Sequence, residues 1–444
     1  MNNIPFILLL VFLLLPGCTT YGNISNKKAI EPTSPGYSIR TAVNPNRSNE
    51  VTIVLAFSGG GTRAAALSYG VLEALRDTVI TIDNKPRRLL DEIDAISSVS
   101  GGSFTAAYFG LHGDGIFNGF EEKFLRRNVT GELIHGLFNP LLWFSNRGRT
   151  EMAVNYYEES VFKNATFSDL QRKDAPLIII NASDLGSGSR FSFIQEYFNL
   201  LCSDLSSFPV SRAVAASSAV PVLFNPVVVQ NYPGCKPRIQ PWLDKIQPQM
   251  IKSTQLDKTV DGLRSYALKD QRPYIHLVDG GITDNLGLLA LYEMIEVSGG
   301  AQKFLDSLGA KPAKNLIVIS VNASTVPQYD IEASNKIPPL ESTLNAVSDM
   351  QLHRYNDSTL QLFKDSIKRW TKELSTKDHT VTPYFIEINF ASLPQKKRRF
   401  FFNQIPSTLS LTPDQVDNLI NVGHELLTNN PEYIKFTKEY TVTQ

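Results

Sequence analysis

The sequence carries no excess charge of either sign. Its 43 lysines and arginines are balanced by 43 aspartates and glutamates, so the formal net charge at pH 7 is zero. Nucleic-acid-binding domains usually carry a basic surplus, and this balance indicates none. No repeat period is visible either, which excludes a repeat architecture. With 42% apolar and 19% charged residues in 444, the chain can bury a large core in one big domain or two.

Cysteine is scarce, and the first of the three cysteines follows the only strongly apolar run near the N-terminus. That run, residues 5–15, is too short to span a bilayer comfortably and is typical of a signal peptide. Residues 15–18, Leu-Pro-Gly-Cys, resemble the lipobox of bacterial lipoproteins, although Pro16 and the lack of Lys or Arg before the run depart from that pattern. We expect a signal peptide at residues 1–17 and a lipidated Cys18. An uncleaved anchor or a plain secretory signal is the alternative.

On this interpretation the chain is exported and anchored in the bacterial cell envelope, at the outer membrane or the periplasmic face. Residues 18–50 are polar and rich in Pro, Ser and Asn, which predicts a flexible tether. Cys202 and Cys235 are an even pair in a compartment where disulfides persist. The sequence does not give their geometry, so a disulfide and two buried thiols both remain open.

Apolar, β-branched runs alternate with helical patterns from Val51 onward. The first run, residues 51–58, precedes three glycines and a helical pattern at residues 62–77. Further buried strands are predicted within residues 94–97, 175–185, 276–281 and 314–324. Continuous apolar strands separated by helices predict an α/β fold, with a parallel or mixed sheet covered on both faces.

The pattern changes beyond residue 326. A long amphipathic stretch at residues 342–370 is followed by a strand pattern at residues 382–393. A last helix is predicted from Thr412, where T-P-D-Q supplies an N-cap threonine, a proline and then a glutamine at the third position. Because no long linker intervenes, we expect one catalytic domain at residues 51–325 with residues 326–444 as an α+β elaboration packed on it.

The stretch ISSVSGGSF, residues 96–104, places Ser100 between an apolar strand and a helix of small residues. A nucleophilic serine needs such a tight strand-to-helix turn, with neighbours small enough to permit it. In the usual pattern G-x-S-x-G, Ser98 replaces the first glycine and Gly102 supplies the second. Serine–glycine clusters also occur in ordinary turns, which is the alternative interpretation.

A glycine-rich segment could supply the oxyanion donors that acyl transfer needs. Gly59, Gly60 and Gly61 precede a predicted helix, so their N–H groups can converge at its positive end, and Arg63 follows. The segment lacks both the lysine of the G-x-x-x-x-G-K-[ST] phosphate loop and the dinucleotide spacing G-x-G-x-x-G. A purely structural turn remains the alternative.

The candidate base is an acid rather than a histidine. None of the six histidines lies in a catalytic motif, although His276 remains a candidate because it is three residues before Asp279. In VDGGITDNLG, Asp279 ends a buried strand, and we expect its carboxylate at the same carboxyl edge of the sheet as Ser100. Its surroundings there could raise its pKa enough for base catalysis. An Asx-turn acid is the alternative.

In their order and spacing, these segments resemble the patatin-like phospholipase family. The match runs from about residue 51 to residue 289: a strand with GGG-T-R, then S-x-S-x-G, then SRAVAASSAVPVLFNPV at residues 211–227, then D-G-G. The resemblance implies a three-layer α/β fold with a mostly parallel central sheet. It also implies a Ser–Asp dyad without histidine, and neither cofactor nor metal at the site. Residues 216–221 match the family's packing segment beside the site.

Carried over by position, the resemblance gives roles to individual residues. Ser100 matches the nucleophile and Asp279 the base. The oxyanion loop is matched by Gly59, Gly60 and Gly61, with Arg63 at the basic position after it. The implied activity is that of a lipid acyl hydrolase, of phospholipase A or lysophospholipase type, acting on membrane lipid or another acyl ester. An acyltransferase, a soluble-ester esterase and a non-catalytic exported binding protein are the alternatives.

Two further segments are candidate lipid contacts. Residues 134–149 mix Leu, Phe and Trp with Pro, Gly and arginines, as an interfacial lid would, although such a stretch is more often core. Residues 395–402, QKKRRFFF, could meet anionic headgroups. For this second segment the expectation is a solvated loop that runs into a buried strand.

Overall fold

The computed structural model describes residues 21–29, 36–132, 148–221, 223–235, 254–326, 335–337 and 340–440. The predicted signal peptide, Cys18 and nearly all of the predicted lid lie outside these residues. In the described part of the chain, no helix is both long enough and apolar enough to cross a membrane.

The described strands and helices alternate along most of the chain. The strands are β1 Lys27–Lys28, β2 Val51–Phe57, β3 Val79–Ile82, β4 Lys85–Arg88, β5 Ile93–Val99, β6 Leu177–Asp184, β7 Arg190–Ser192, β8 Ser203–Asp204, β9 Val227–Gln230, β10 Tyr274–Val278, β11 Asn315–Val321 and β12 Thr382–Ile388. The helices are α1 Gly61–Asp77, α2 Gly101–His112, α3 Arg149–Tyr157, α4 Gln195–Leu200, α5 Val210–Ser217, α6 Thr254–Ser265, α7 Gly281–Asp284, α8 Leu288–Val297, α9 Ala301–Leu308, α10 Leu340–Leu374, α11 Lys396–Asn403, α12 Pro413–Thr428 and α13 Pro431–Glu439.

An eight-stranded mixed sheet forms the centre of the fold. Its order is β12-β11-β2-β5-β6-β10-β9, and β7 also pairs with β6. The first five of these strands are parallel, whereas β10 and β7 run antiparallel to β6, and β9 runs antiparallel to β10. The prediction of an α/β fold with a mostly parallel sheet and helices around it is confirmed.

Strand register brings the two candidate catalytic residues to one place. Val99, the last residue of β5, is opposite Asn181, and Val278, the last residue of β10, is opposite Ser183. The residues that follow therefore flank β6 at the level of Ala182. Asp279 lies at the predicted carboxyl edge of the parallel strands, but its own strand, β10, runs antiparallel to β6.

The C-terminal region is built into the same sheet and core. Strand β12 pairs with β11 along its whole length. Helix α12 crosses α1 so closely that a Cβ on Gly70 would lie 2.0 Å from the Ile420 carbonyl oxygen, and one on Gly423 would lie 2.4 Å from the Leu67 carbonyl oxygen. The predicted capping box at Thr412 is present at the start of α12.

The N-terminal segment packs on the body where the sequence predicts a flexible tether. Strand β1 pairs with β8, and the buried Asn26 side chain donates to Ser203 Oγ at 3.0 Å and to the Gln230 carbonyl at 2.9 Å. The buried Tyr37 hydroxyl accepts the Ile178 N–H at 2.6 Å. Side-chain hydrogen bonds fix this polar segment, and such bonds leave no hydrophobic pattern in a sequence.

A disulfide joins Cys202 to Cys235, with 5.4 Å between their Cα atoms. It lies next to the docked N-terminal segment, because the Cys202 carbonyl accepts the Ala29 N–H at 2.8 Å. Of the two alternatives that the sequence leaves open, the structure shows the bond.

Candidate active site

Ser100 occupies a strained turn between β5 and α2. Its backbone dihedrals are φ 49° and ψ −122°, a conformation that costs a non-glycine residue about 1–3 kcal/mol. The Ser100 N–H donates to Ser217 Oγ at 2.8 Å, and Ser217 Oγ in turn donates to the Asn181 carbonyl at 2.6 Å. Ser103 Oγ lies 3.0 Å from the same Ser217 hydroxyl. The turn is therefore held by hydrogen bonds from two other elements.

Small residues around Ser100 are required by close backbone contacts. A Cβ on Gly101 would lie 2.0 Å from the Gly61 carbonyl oxygen, and one on Gly102 would lie 2.7 Å from the Ser58 carbonyl oxygen. The position of Ser98 tolerates a side chain, because its buried hydroxyl donates to the Ile179 carbonyl at 3.1 Å. The replacement of the first glycine of G-x-S-x-G by Ser98 is thus accommodated within the sheet.

Asp279 lies beside Ser100 in a buried position, and each residue is 8% exposed. Burial raises the pKa of the Asp279 carboxyl from its ordinary value of 3.8 to about 6, while hydrogen bonds from the Gly281 N–H and the Ser100 hydroxyl act in the opposite direction. The Gly281 N–H is 2.7 Å from Asp279 Oδ1. A carboxylate with a pKa of about 6 beside a serine hydroxyl can accept that hydroxyl's proton.

No histidine joins this pair within the described residues. The hydrogen-bond partners of Ser100 and Asp279 there are Ser217, Ser183 and Gly281, together with backbone groups. His276 lies on β10 with an exposed side chain.

The glycine loop presents two free N–H groups next to Ser100. Gly60 and Gly61 have positive φ angles of 135° and 58°, and α1 begins at Gly61. Across the described residues, neither N–H has a hydrogen-bond acceptor. The Gly59 N–H, in contrast, donates to the Asn285 carbonyl at 2.9 Å. Gly60 and Gly61 can therefore bind an oxyanion, and the prediction that Gly59 belongs to the donors is corrected.

Arg63 holds the loop in place. Its Nε donates to the Ala323 carbonyl at 2.8 Å, and its Nη1 donates to the Ile405 carbonyl at 2.5 Å. These bonds join the loop to the segments that follow β11 and α11. The contacts of the buried side chain indicate a structural role, which differs from the predicted place of Arg63 among the oxyanion residues.

Two supporting residues were not predicted from the sequence. Ser217 accepts the Ser100 N–H, as described above. Asn181 on β6 donates from its side-chain amide to Ser97 Oγ at 3.0 Å and to the Ser98 carbonyl at 3.1 Å. Ser217 lies within residues 216–221, the predicted packing segment beside the site, and this position was the available signal.

Exposed apolar side chains border Asp279. The Asp279 N–H donates to the Ala219 carbonyl at 3.0 Å, and the next residue, Val220, is exposed. Ile282, whose N–H donates to the Asp279 carbonyl at 3.3 Å, is also exposed, as is the nearby Leu223. These exposed side chains form an apolar rim beside Asp279, a surface that suits acyl chains.

A cavity of about 230 Å³ lies elsewhere, at the amino ends of β2, β5 and β6, where Val51, Asp94 and Leu177 line it. It is at the opposite end of these strands from Ser100, so it is not part of this site. No group of three or more His, Cys, Asp or Glu side chains that could hold a metal ion is found among the described residues.

Comparisons with known proteins agree with this arrangement. The family model described as patatin-like phospholipase matches residues 55–292, which is more than half of the chain. No curated protein matches the sequence.

Among solved structures, human GIVD cytosolic phospholipase A2 is similar, with 11% identity and a TM-score of 0.47 over 90% of this chain and 64% of that one. The same human enzyme in complex with methyl gamma-linolenyl fluorophosphonate gives 11% identity and a TM-score of 0.40, over 91% of this chain and 62% of that one. The chain spans less than two thirds of the length of these structures.

Proposed function

The chain belongs to the patatin-like phospholipase family, and from that premise we propose that it hydrolyses lipid acyl esters with Ser100 as nucleophile and Asp279 as general base. The observation that carries this proposal is the position of Ser100 and the buried Asp279 carboxylate, which flank β6 at the level of Ala182. The strained turn at Ser100 supports it, as do the Gly60 and Gly61 N–H groups, which have no acceptor in the described part of the chain.

In the first step, Ser100 Oγ forms a bond to the ester carbonyl carbon while its proton passes to Asp279. The carbonyl oxygen becomes an oxyanion, which the Gly60 and Gly61 N–H groups bind. When this intermediate collapses, the bond to the leaving alcohol breaks and the alcohol takes the proton from Asp279. The product is an acyl-enzyme on Ser100.

In the second step, water attacks the acyl carbon and gives its proton to Asp279. The acyl–Ser100 bond breaks, the fatty acid leaves, and the proton returns to Ser100 Oγ. Neither step calls for a metal ion. The exposed apolar rim formed by Val220, Leu223 and Ile282 supports a lipid as the source of the ester.

The proposal includes a location outside the cytoplasm. We propose that the chain is exported and attached through a lipidated Cys18 in the bacterial cell envelope, at the outer membrane or the periplasmic face. The apolar run at residues 5–15 and the Leu-Pro-Gly-Cys sequence support this, and the Cys202–Cys235 disulfide fits an oxidising compartment. Cys18→Ser should release the protein from membrane fractions and remove the lipid mass. Unchanged membrane retention and mass would contradict the anchor.

Hydrolysis is tested on phospholipid vesicles with a chain that begins at residue 19, which keeps every described residue. Ser100→Ala and Asp279→Asn should each remove turnover, whereas Ser298→Ala, a serine replacement at the end of α8, should leave it unchanged. Full activity in Ser100→Ala would refute the assignment. Transfer of the acyl group to an added alcohol instead of water would identify an acyltransferase.

A further inference from the structure

Helix α11 presents an unusual outer face. Lys396, Lys397, Phe400 and Phe401 are all exposed, and the two phenylalanines are 55% and 39% exposed. At 100° per residue, these four positions fall within a 140° sector of one helix face. The expected loop entering a buried strand is therefore replaced by a short helix with two cations and two aromatic rings facing outward.

The opposite face of α11 is fixed to the body. Phe402 is buried and stacks on Phe390 with 5.2 Å between ring centroids. Arg398 makes two hydrogen bonds of 2.7 Å and 2.6 Å to the Glu425 carboxylate on α12. Arg399 donates to the Leu393 carbonyl at 2.5 Å. Because these contacts hold the helix, its orientation is set and the exposed rings cannot turn inward together.

The outer face has a local positive charge although the whole chain is neutral. Neither Lys396 nor Lys397 has an acidic partner among the residues that the structure describes. Isolated exposed apolar residues are ordinary on protein surfaces. Two phenylalanines that alternate with two lysines around one helix face are instead the composition of an interfacial helix.

We propose that this face of α11 docks the protein on an anionic lipid bilayer. Lys396 and Lys397 meet the headgroup phosphates, and Phe400 and Phe401 enter the boundary between headgroups and acyl chains. The surface rests on the proposed function, since it would bring the enzyme to a substrate that is part of a membrane.

Short connections join α11 to the oxyanion loop. Asn403, the last residue of α11, accepts the Val326 N–H at 3.1 Å through its side chain, and Val326 is itself exposed. A few residues later, the Thr408 carbonyl accepts the Thr62 N–H at 2.8 Å. The C-terminal end of α11 is therefore connected to the oxyanion loop through the residues that follow it.

Vesicle co-sedimentation tests the docking surface directly. The chain from residue 19, which has no lipid anchor, carries Ser100→Ala so that the vesicles are not consumed. Vesicles of phosphatidylcholine are compared with vesicles that also contain phosphatidylglycerol. Lys396→Gln with Lys397→Gln should weaken binding to the anionic vesicles about 30-fold at low salt, because each lysine near such a surface contributes about fivefold. Lys372→Gln with Lys377→Gln is the matched charge control and should bind as the parent does.

The aromatic part of the surface is tested separately. Phe400→Ser with Phe401→Ser should weaken binding about tenfold or more on both vesicle types, and the single change Phe400→Ser should show a smaller loss in the same direction. Leu268→Ser, an exposed apolar residue beside β10, is the control. Unchanged vesicle binding in the lysine and phenylalanine variants would overturn the proposal. A parent dimer that Phe400→Ser disrupts would also overturn it, because the face would then serve a second copy of the chain.

Hydrolysis of a short, monomeric ester separates this proposal from the proposed function. With Ser100 restored, the α11 variants should cleave that ester at the parental rate while they lose activity on anionic vesicles. If the parent binds vesicles through α11 but cleaves no ester, the docking surface stands and the hydrolase proposal fails. If the variants cleave anionic vesicles as fast as the parent, the docking surface fails and the hydrolase proposal stands.

Discussion

Replacing Asp279 by asparagine should make the protein more stable near neutral pH while it removes the proposed base. Burial raises the pKa of this carboxyl from 3.8 to about 6 in the folded protein. Ionisation is therefore harder in the folded state than in the unfolded state. The folded protein loses stability as the pH rises from 3.8 to about 6, and above that range the loss is constant at about 3 kcal/mol. Asparagine never ionises and avoids this loss.

Urea unfolding followed by circular dichroism at about pH 8 and about pH 4 measures the effect. Asp279→Asn should exceed the wild type by up to about 3 kcal/mol in free energy of unfolding at the higher pH, and by only about 0.5 kcal/mol at the lower pH. The exposed Asp378→Asn variant controls for the loss of a charge and should stay within about 0.5 kcal/mol at both. An Asp279→Asn variant no more stable than wild type at about pH 8 would refute the argument that burial raises this pKa.

Three further outcomes follow from the same contacts. The rate of ester hydrolysis should fall below a midpoint of about pH 6, because only ionised Asp279 accepts the Ser100 proton; a pH–rate profile that stays flat to about pH 4 would contradict this. Ser217→Ala should lower the free energy of unfolding by about 1–3 kcal/mol and slow hydrolysis, because the buried Ser100 N–H loses its acceptor. Unchanged urea midpoints and rates would contradict the claim that Ser217 holds the turn at Ser100. Reducing the Cys202–Cys235 disulfide, whose residues are 33 positions apart, should lower the free energy of unfolding by about 3–4 kcal/mol; a urea midpoint unaffected by dithiothreitol would show that the bond does not constrain the unfolded chain.

The strands were predictable from sequence because buried parallel strands are continuous apolar runs. Residues 51–58 and 314–324 illustrate this, since β2 and β11 fall within them. The direction of β10 was not predictable, because an apolar run does not encode which way its strand points. Packing of the N-terminal segment was missed for a related reason: Asn26 is held by side-chain hydrogen bonds, and a polar composition does not distinguish such bonds from solvation.

The two central residues of the site were predictable because the motifs around them carry steric requirements. Ser100 needs small neighbours, and Asp279 ends a strand before two glycines. Ser217 was missed because its role depends on a hydrogen bond across 117 positions of the sequence. The contact of the Gly59 N–H with Asn285 could not be anticipated either, since a glycine run gives no indication of which N–H groups are already bonded. At residues 395–402, three phenylalanines suggested a strand, but the flanking cations and the packing of Phe402 favour a helix.

The most direct test of the account is the intact mass of the chain from residue 19 after incubation with a fluorophosphonate, which reacts with an activated serine. We predict one adduct, mapped to Ser100 in the wild type, and a rate of adduct formation on the order of 10²–10⁴-fold lower in Asp279→Asn. Folded wild-type protein that forms no adduct, or forms it on another residue, would contradict the claim that Ser100 is the nucleophile.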